Sequence, residues 1–209
     1  APKCYGAVTM TQKGDTNDSQ VAKLVVEDGC LKGQYYAICG NGNPGRGNTS
    51  ITINGGKLGT FEETGTAIFN PQENSEVIIN GGKIIGSTGI EMRSGDLEVN
   101  GGEIVGIGVP SSSTPNGSGT TSDGCGIAVA QHTTNHPINV VVNKGFIRGY
   151  SALYQSNPQN TDHTIVNMVV NGGVFNTINN GTVSVYSENK TGFINGGVFA
   201  PAADEVYMA

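Results

Sequence analysis

Short runs in which apolar and polar residues alternate recur along the chain, and each run stops at the same kind of corner. Ser50-Ile51-Thr52-Ile53, Glu76-Val77-Ile78-Ile79, Asp96-Leu97-Glu98-Val99, Asn139-Val140-Val141-Val142 and Val166-Asn167-Met168-Val169-Val170 are rich in β-branched residues. Period-two alternation bounded by glycine predicts short strands with one buried face. After each run comes Asn-Gly-Gly, or a variant of it, then one variable residue and one large apolar residue. Full copies stand at Asn54-Gly55-Gly56-Lys57-Leu58, Asn80-Gly81-Gly82-Lys83-Ile84, Asn100-Gly101-Gly102-Glu103-Ile104, Asn171-Gly172-Gly173-Val174-Phe175 and Asn195-Gly196-Gly197-Val198-Phe199. Glu27-Asp28-Gly29-Cys30-Leu31 and Asn143-Lys144-Gly145-Phe146-Ile147 are degenerate copies. A unit repeated at this period predicts a solenoid, because no copy can bury its apolar row alone.

The second glycine of the motif recurs at Gly29, Gly56, Gly82, Gly102, Gly145, Gly173 and Gly197, so the steps are 27, 26, 20, 43, 28 and 24 residues. Besides the run before the glycines, each coil carries a second strand after them. A third pairs a small residue with an aliphatic one, as in Ala37-Ile38, Ala67-Ile68, Gly89-Ile90, Gly126-Ile127, Ala152-Leu153 and Ser184-Val185. The expected fold is all-β: a single right-handed parallel β-helix of about seven coils with three short strands each. Residues 1–20 are read as an N-terminal cap and 21–200 as the helix. A long loop insertion falls at 107–124, and 201–209 is a C-terminal cap or the lead into a further domain.

The corner itself is read as structural. Glycine accepts positive φ without cost and Asn accepts it better than most residues. The Asn side chain can also bond nearby backbone or the Asn of the next coil, forming a ladder. A leucine-rich repeat lacks its Leu spacing here, and a calcium-binding β-roll lacks its repeated Asp.

Composition narrows the function. A net charge of −6 with 13% charged residues provides none of the clustered Lys and Arg that nucleic acid requires. No apolar run approaches the roughly 20 residues of a membrane span. The first residues show no hydrophobic signal core, and the absence of an initiator Met reads as processing or excision from something larger. Cys4, Cys30, Cys39 and Cys125 show no metal-ligand spacing. They are expected as free thiols, and Cys4 with Cys30 is the first pair to test for a disulfide.

The rungs resemble the right-handed parallel β-helices of the pectin-lyase-like superfamily. More narrowly they are similar to Asn-Gly-Gly repeat surface proteins of gut Gram-positive bacteria and their phages. The likeness is carried by Val77-Ile78-Ile79-Asn80-Gly81-Gly82-Lys83-Ile84 with Thr88-Gly89-Ile90-Glu91-Met92-Arg93-Ser94-Gly95, and by the run from Val185 to Gly197. It spans about residues 21–209. The resemblance implies architecture far more than activity, since the fold hosts lyases, hydrolases, adhesins and spacers.

Chemistry is sparse. The Asn-Thr-Asp, Asp-Asp, Gly-His-Gly and Arg-Ile-Lys motifs of the superfamily's hydrolases are absent, and the Asp residues are scattered through turns. In the third strand, the position after the aliphatic residue reads Cys39, Phe69, Glu91, Ala128, Tyr154, Tyr186. Glu91 is its one carboxylate, expected to form a surface salt bridge with Arg93. Phe69, Tyr154 and Tyr186 are expected to stack along one face, either for stability or as an exposed strip for sugars or a partner. His132 and His136, with His163 one coil on, are candidate loop ligands, although no metal and no cofactor is expected. The overall expectation is a non-enzymatic, surface-displayed β-helix with a structural or binding role, on a virion or a bacterial cell surface. A phage capsid decoration or fibre protein is preferred, with an adhesin or carbohydrate-binding module as the alternative and a polysaccharide lyase or hydrolase third. Expected partners are other virion or cell-surface proteins, the chain itself as a homotrimer, and glycans.

Overall fold

A computed structural model describes residues 6–11, 21–61, 65–110, 123–130, 135–156 and 165–209. Twenty strands of three to five residues form three wholly parallel sheets among these residues. The first sheet holds the alternating runs: Ala22–Val26, Thr49–Ile53, Ser75–Ile79, Gly95–Val99, Ile138–Val142 and Val166–Val170. The second holds the strands after the glycines, from Cys30–Gly33 through Lys57–Thr60, Lys83–Gly86, Glu103–Gly106, Phe146–Gly149 and Val174–Thr177 to Val198–Ala200. Gly6–Met10, Tyr36–Gly40, Thr66–Asn70, Thr88–Met92, Cys125–Val129, Ser151–Gln155 and Val185–Ser187 make the third. Every strand pairs with its counterpart one coil away, which is a parallel β-helix with three strands per coil.

Like residues stack because the register is constant. On the first sheet Leu24, Ile51, Val77, Leu97, Val140 and Met168 follow one another in a line. Leu31, Leu58, Ile84, Ile104, Ile147, Phe175 and Phe199 do so on the second. Val8, Ile38, Ile68, Ile90, Ile127, Leu153 and Val185 do so on the third. These lines face inward and form one continuous core in which most members are buried completely. Phe175 and Phe199 stack with ring centroids 4.9 Å apart.

The Asn of the motif does not occupy left-handed backbone, contrary to the sequence reading. Positive φ among non-glycine residues occurs at Asn48, Asn74, Asn135, Asn179 and Asn180, none of them a motif Asn. What the motif Asn supplies is the ladder. Each side-chain amide donates to the carbonyl oxygen of the Asn one coil earlier: Asn80 to Asn54 at 2.9 Å, Asn100 to Asn80 at 3.2 Å and Asn143 to Asn100 at 2.9 Å. Asn171 donates to Asn143 at 2.9 Å and Asn195 to Asn171 at 3.0 Å. At the N-terminal end Asn54 donates to the Glu27 carboxylate at 3.0 Å, so Glu27 terminates the chain of aligned amides with an acceptor.

The two glycines have different reasons. The second has φ near +81° at Gly56, Gly82 and Gly102, a region that costs an L-residue about 1–2 kcal/mol. The first has an ordinary φ, but a Cβ at Gly81 would sit 2.5 Å from the Asn54 carbonyl oxygen of the coil before. The φ of the second glycine is larger in the remaining corners: 98° at Gly29, 122° at Gly145, where Lys144 takes the place of the first glycine, 108° at Gly173 and 126° at Gly197.

At the C-terminal end Ile194 bridges Val170, and Met208 bridges Ile194. Tyr207 is buried against Phe193, and its hydroxyl exchanges hydrogen bonds with the backbone of Ser187. Tyr207 and the Ile194–Met208 bridge thus join the C-terminal residues to the last coil.

Corner substitutions separate these roles in urea denaturation. Asn80→Ala removes two ladder bonds and is expected to cost about 1–2 kcal/mol. Gly81→Ala is expected to cost about 1–3 kcal/mol through overpacking. Asp28→Ala, in the exposed first corner, is expected to change stability by less than about 0.5 kcal/mol.

Candidate functional site

The outer column expected on the third sheet exists in that order. Cys39 pairs with Phe69, Phe69 with Glu91, Glu91 with Ala128, Ala128 with Tyr154 and Tyr154 with Tyr186. The aromatic members do not form one strip, because Glu91 and Ala128 intervene between Phe69 and Tyr154. They form two clusters instead. Tyr154 and Tyr186 stack at 5.0 Å with planes 22° apart, and Tyr186 is 37% exposed. Phe69 packs against Tyr36 at 5.4 Å in a tilted arrangement. Burial pushes the hydroxyl pKa of Tyr154 up, as it does that of Tyr36, where the nearby Glu91 charge adds to the effect.

Glu91 and Arg93 pair as expected, but not at the surface. Their side chains are each only 3% exposed, and Arg93 Nε donates to Glu91 Oε1. Thr66 Oγ1 donates to Glu91 Oε2 at 3.4 Å, and the Arg93 guanidinium lies 5.8 Å from the Phe69 ring centre. Alternation correctly placed Glu91 on the outward side of its strand. Outward is not exposed, however, because all five residues of Thr88–Met92 are buried. Removing two charges from water costs several kcal/mol each, which the pairing has to offset. Glu91 is therefore held by Arg93 and Thr66 inside a closed contact.

His136 lies at the corner between the third and first sheets, its Nε2 3.1 Å from Glu73 Oε2. The same carboxylate group accepts from Gly45 N at 2.8 Å, so Glu73 ties two loops together. His132, His163, Cys4 and positions 111–122 of the insertion lie outside the described residues. Among the described residues no group of three or more His, Cys, Asp or Glu is placed to hold a metal. Cys39 and Cys125 are buried free thiols, while Cys30 is a free thiol exposed on the second sheet.

That second sheet carries the feature the sequence reading passed over. The residue after each Gly-Gly faces outward, and the column reads Cys30, Lys57, Lys83, Glu103, Phe146, Val174, Val198. Beside it run Lys32, Gly59, Ile85, Val105 and Arg148. With no side chain at Gly59, a groove of about 480 Å³ opens, lined by Lys32, Lys57, Lys83, Leu58, Ile85 and Ile107 among others. Lys32 sits 4.4 Å over the ring of Phe61 at its edge. Glu103 is clamped by Lys83 at 2.8 Å and by Arg148. The hydrogen bond from Lys83 is the main cause that holds the Glu103 carboxyl below its ordinary pKa. The position after Gly-Gly was visible in every copy and could have been read as a column.

Two outcomes check these assignments. Glu91→Ala breaks the buried ion pair with Arg93 and is expected to cost about 3–5 kcal/mol in urea denaturation, whereas Glu91→Leu with Arg93→Met recovers most of the loss. Because the folded pKa of Glu103 is depressed, its contribution is complete above the unfolded value of about 4.3. It is lost as pH falls through the lower folded value, so Glu103→Gln flattens that part of the acid stability profile.

Compared with known proteins, the chain matches no family model, no curated protein and no solved structure.

Proposed function

We propose that the chain is a non-enzymatic, surface-displayed β-helix of the pectin-lyase-like kind, built as a structural or binding element of a phage particle, as a capsid decoration or fibre protein. The observation that carries this reading is the use made of the repeat. From Glu27 to Asn195 the amides of the motif bond one another coil by coil. A motif whose amides bond its own copies serves to stack and extend a rod. The one carboxylate that the third-sheet column offered for catalysis, Glu91, is closed over and ion-paired, which weighs against a polysaccharide lyase or hydrolase.

One observation favours the bacterial adhesin or carbohydrate-binding alternative. Tyr154 and Tyr186 make a stacked pair at the C-terminal end of the third sheet, with Tyr186 presented to solvent. Apolar faces of sugar rings stack on such surfaces.

The expected result is stoichiometric recovery of the chain from purified virions, read by quantitative mass spectrometry. Recovery from the host cell-wall fraction instead, with glycan-array binding that Tyr186→Ala abolishes, would transfer the assignment to the adhesin reading.

A further inference from the structure

The three corners of the coil are not equivalent. Between the first and second sheets the connection is three residues in all six described coils, for instance Ile79 to Lys83 and Val142 to Phe146. Between the second and third sheets it ranges from one residue, at Gly86 to Thr88, to eighteen, at Gly106 to Cys125. Between the third and first it ranges from two, at Met92 to Gly95, to eleven, at Met10 to Ala22. Every insertion therefore leaves the chain at the other two corners. The Asn edge itself carries none from the first coil to the last.

The two faces that flank the Asn edge carry opposite charge. On the first sheet the outward column starting at Lys23 continues through Ser50, Glu76, Asp96, Asn139 and Asn167. The parallel column holds Val25, Thr52, Ile78, Glu98, Val141 and Val169. Glu76, Asp96 and Glu98 are exposed and adjacent, in the third and fourth coils. On the second sheet Lys32, Lys57 and Lys83 line the groove at Gly59 in the first three coils. Arg148, two coils beyond Lys83, is already shared with Glu103. The acidic and basic groups lie within about one to two rungs of each other along the axis, a rung being roughly 4.8 Å, and a lysine side chain spans that offset.

We propose that the chain assembles with copies of itself into a closed ring, the acidic first-sheet face of each copy docking on the lysine-lined second-sheet groove of the next, with the Asn edge turned toward the axis. Two different faces of one subunit make a heterologous contact, which closes as a ring of three or more copies and cannot close as a two-fold dimer. In this arrangement Glu76 and Asp96 of one copy enter the gap left by Gly59 and meet Lys57, and they compete with Glu103 for Lys83.

Light scattering coupled to size-exclusion chromatography tests this on the whole chain. The expected mass is at least three times the 21.5 kDa of the chain at low salt, and it falls toward one as salt screens the contact. Lys57→Glu and Glu76→Lys are each expected to give a folded monomer by circular dichroism, and the double variant to restore the ring. A monomer or dimer of the unaltered chain at tens of micromolar overturns the proposal, as does a ring that either single reversal leaves intact. Should one reversal fail to fold, the other decides alone.

Discussion

At the Asn-Gly-Gly corner, successive coils come so close that a side chain on the first glycine would run into the backbone beneath it. A Cβ there would stand between 2.4 Å from the Glu27 carbonyl oxygen, at Gly55, and 2.9 Å from that of Asn171, at Gly196. Such an approach is tolerable only if each corner has the shape of the one below. Identical corners bring identical side chains into line, and an Asn stacked on an Asn has both a donor and an acceptor to offer. The backbone follows suit: Asn80 N donates to Ile53 O at 2.8 Å and Lys83 N to Gly56 O at 2.9 Å, so pairing continues through the bend. Constant register on all three sheets, and with it the continuous inner lines of apolar residues, depends on that repetition.

The architecture was legible because the features that fix it are local and periodic. Alternation marked the first strands, glycines marked the corners, and the position after the inner aliphatic residue marked the outer column from Cys39 to Tyr186. The ladder was legible as one of two roles for the motif Asn, and the left-handed role fell to other residues. Burial on the outer face was not legible. Glu91 and Arg93 sit where alternation puts them, yet their burial goes with tertiary contacts, among them those with Thr66 and Phe69, that no spacing rule encodes. The aromatic strip failed for a simpler reason, since two intervening rungs carry Glu91 and Ala128. The lysine groove depends on an absent side chain at Gly59, which acquires meaning only when three coils are laid beside one another.

The division of labour between faces follows from the same constraint. The interior and the Asn edge are committed to stacking, and the third sheet buries an ion pair and much of its aromatic surface. What the scaffold leaves available is the charged first and second faces, the Tyr154–Tyr186 pair and the loops at the two variable corners. Recognition on solenoids is commonly carried by such outer surfaces and loops.

Amide hydrogen exchange tests the central claim most directly, because it reports residue by residue whether the corners open with the rest of the fold. If the corner is the constraint on which the stack depends, the backbone amides of Asn80, Lys83, Asn100, Glu103, Asn143 and Phe146 exchange only with global unfolding. They should then share the protection of Ile51 and Val77 in the neighbouring strands. Exchange of those corner amides within minutes, while the strand amides stay protected, would contradict the account.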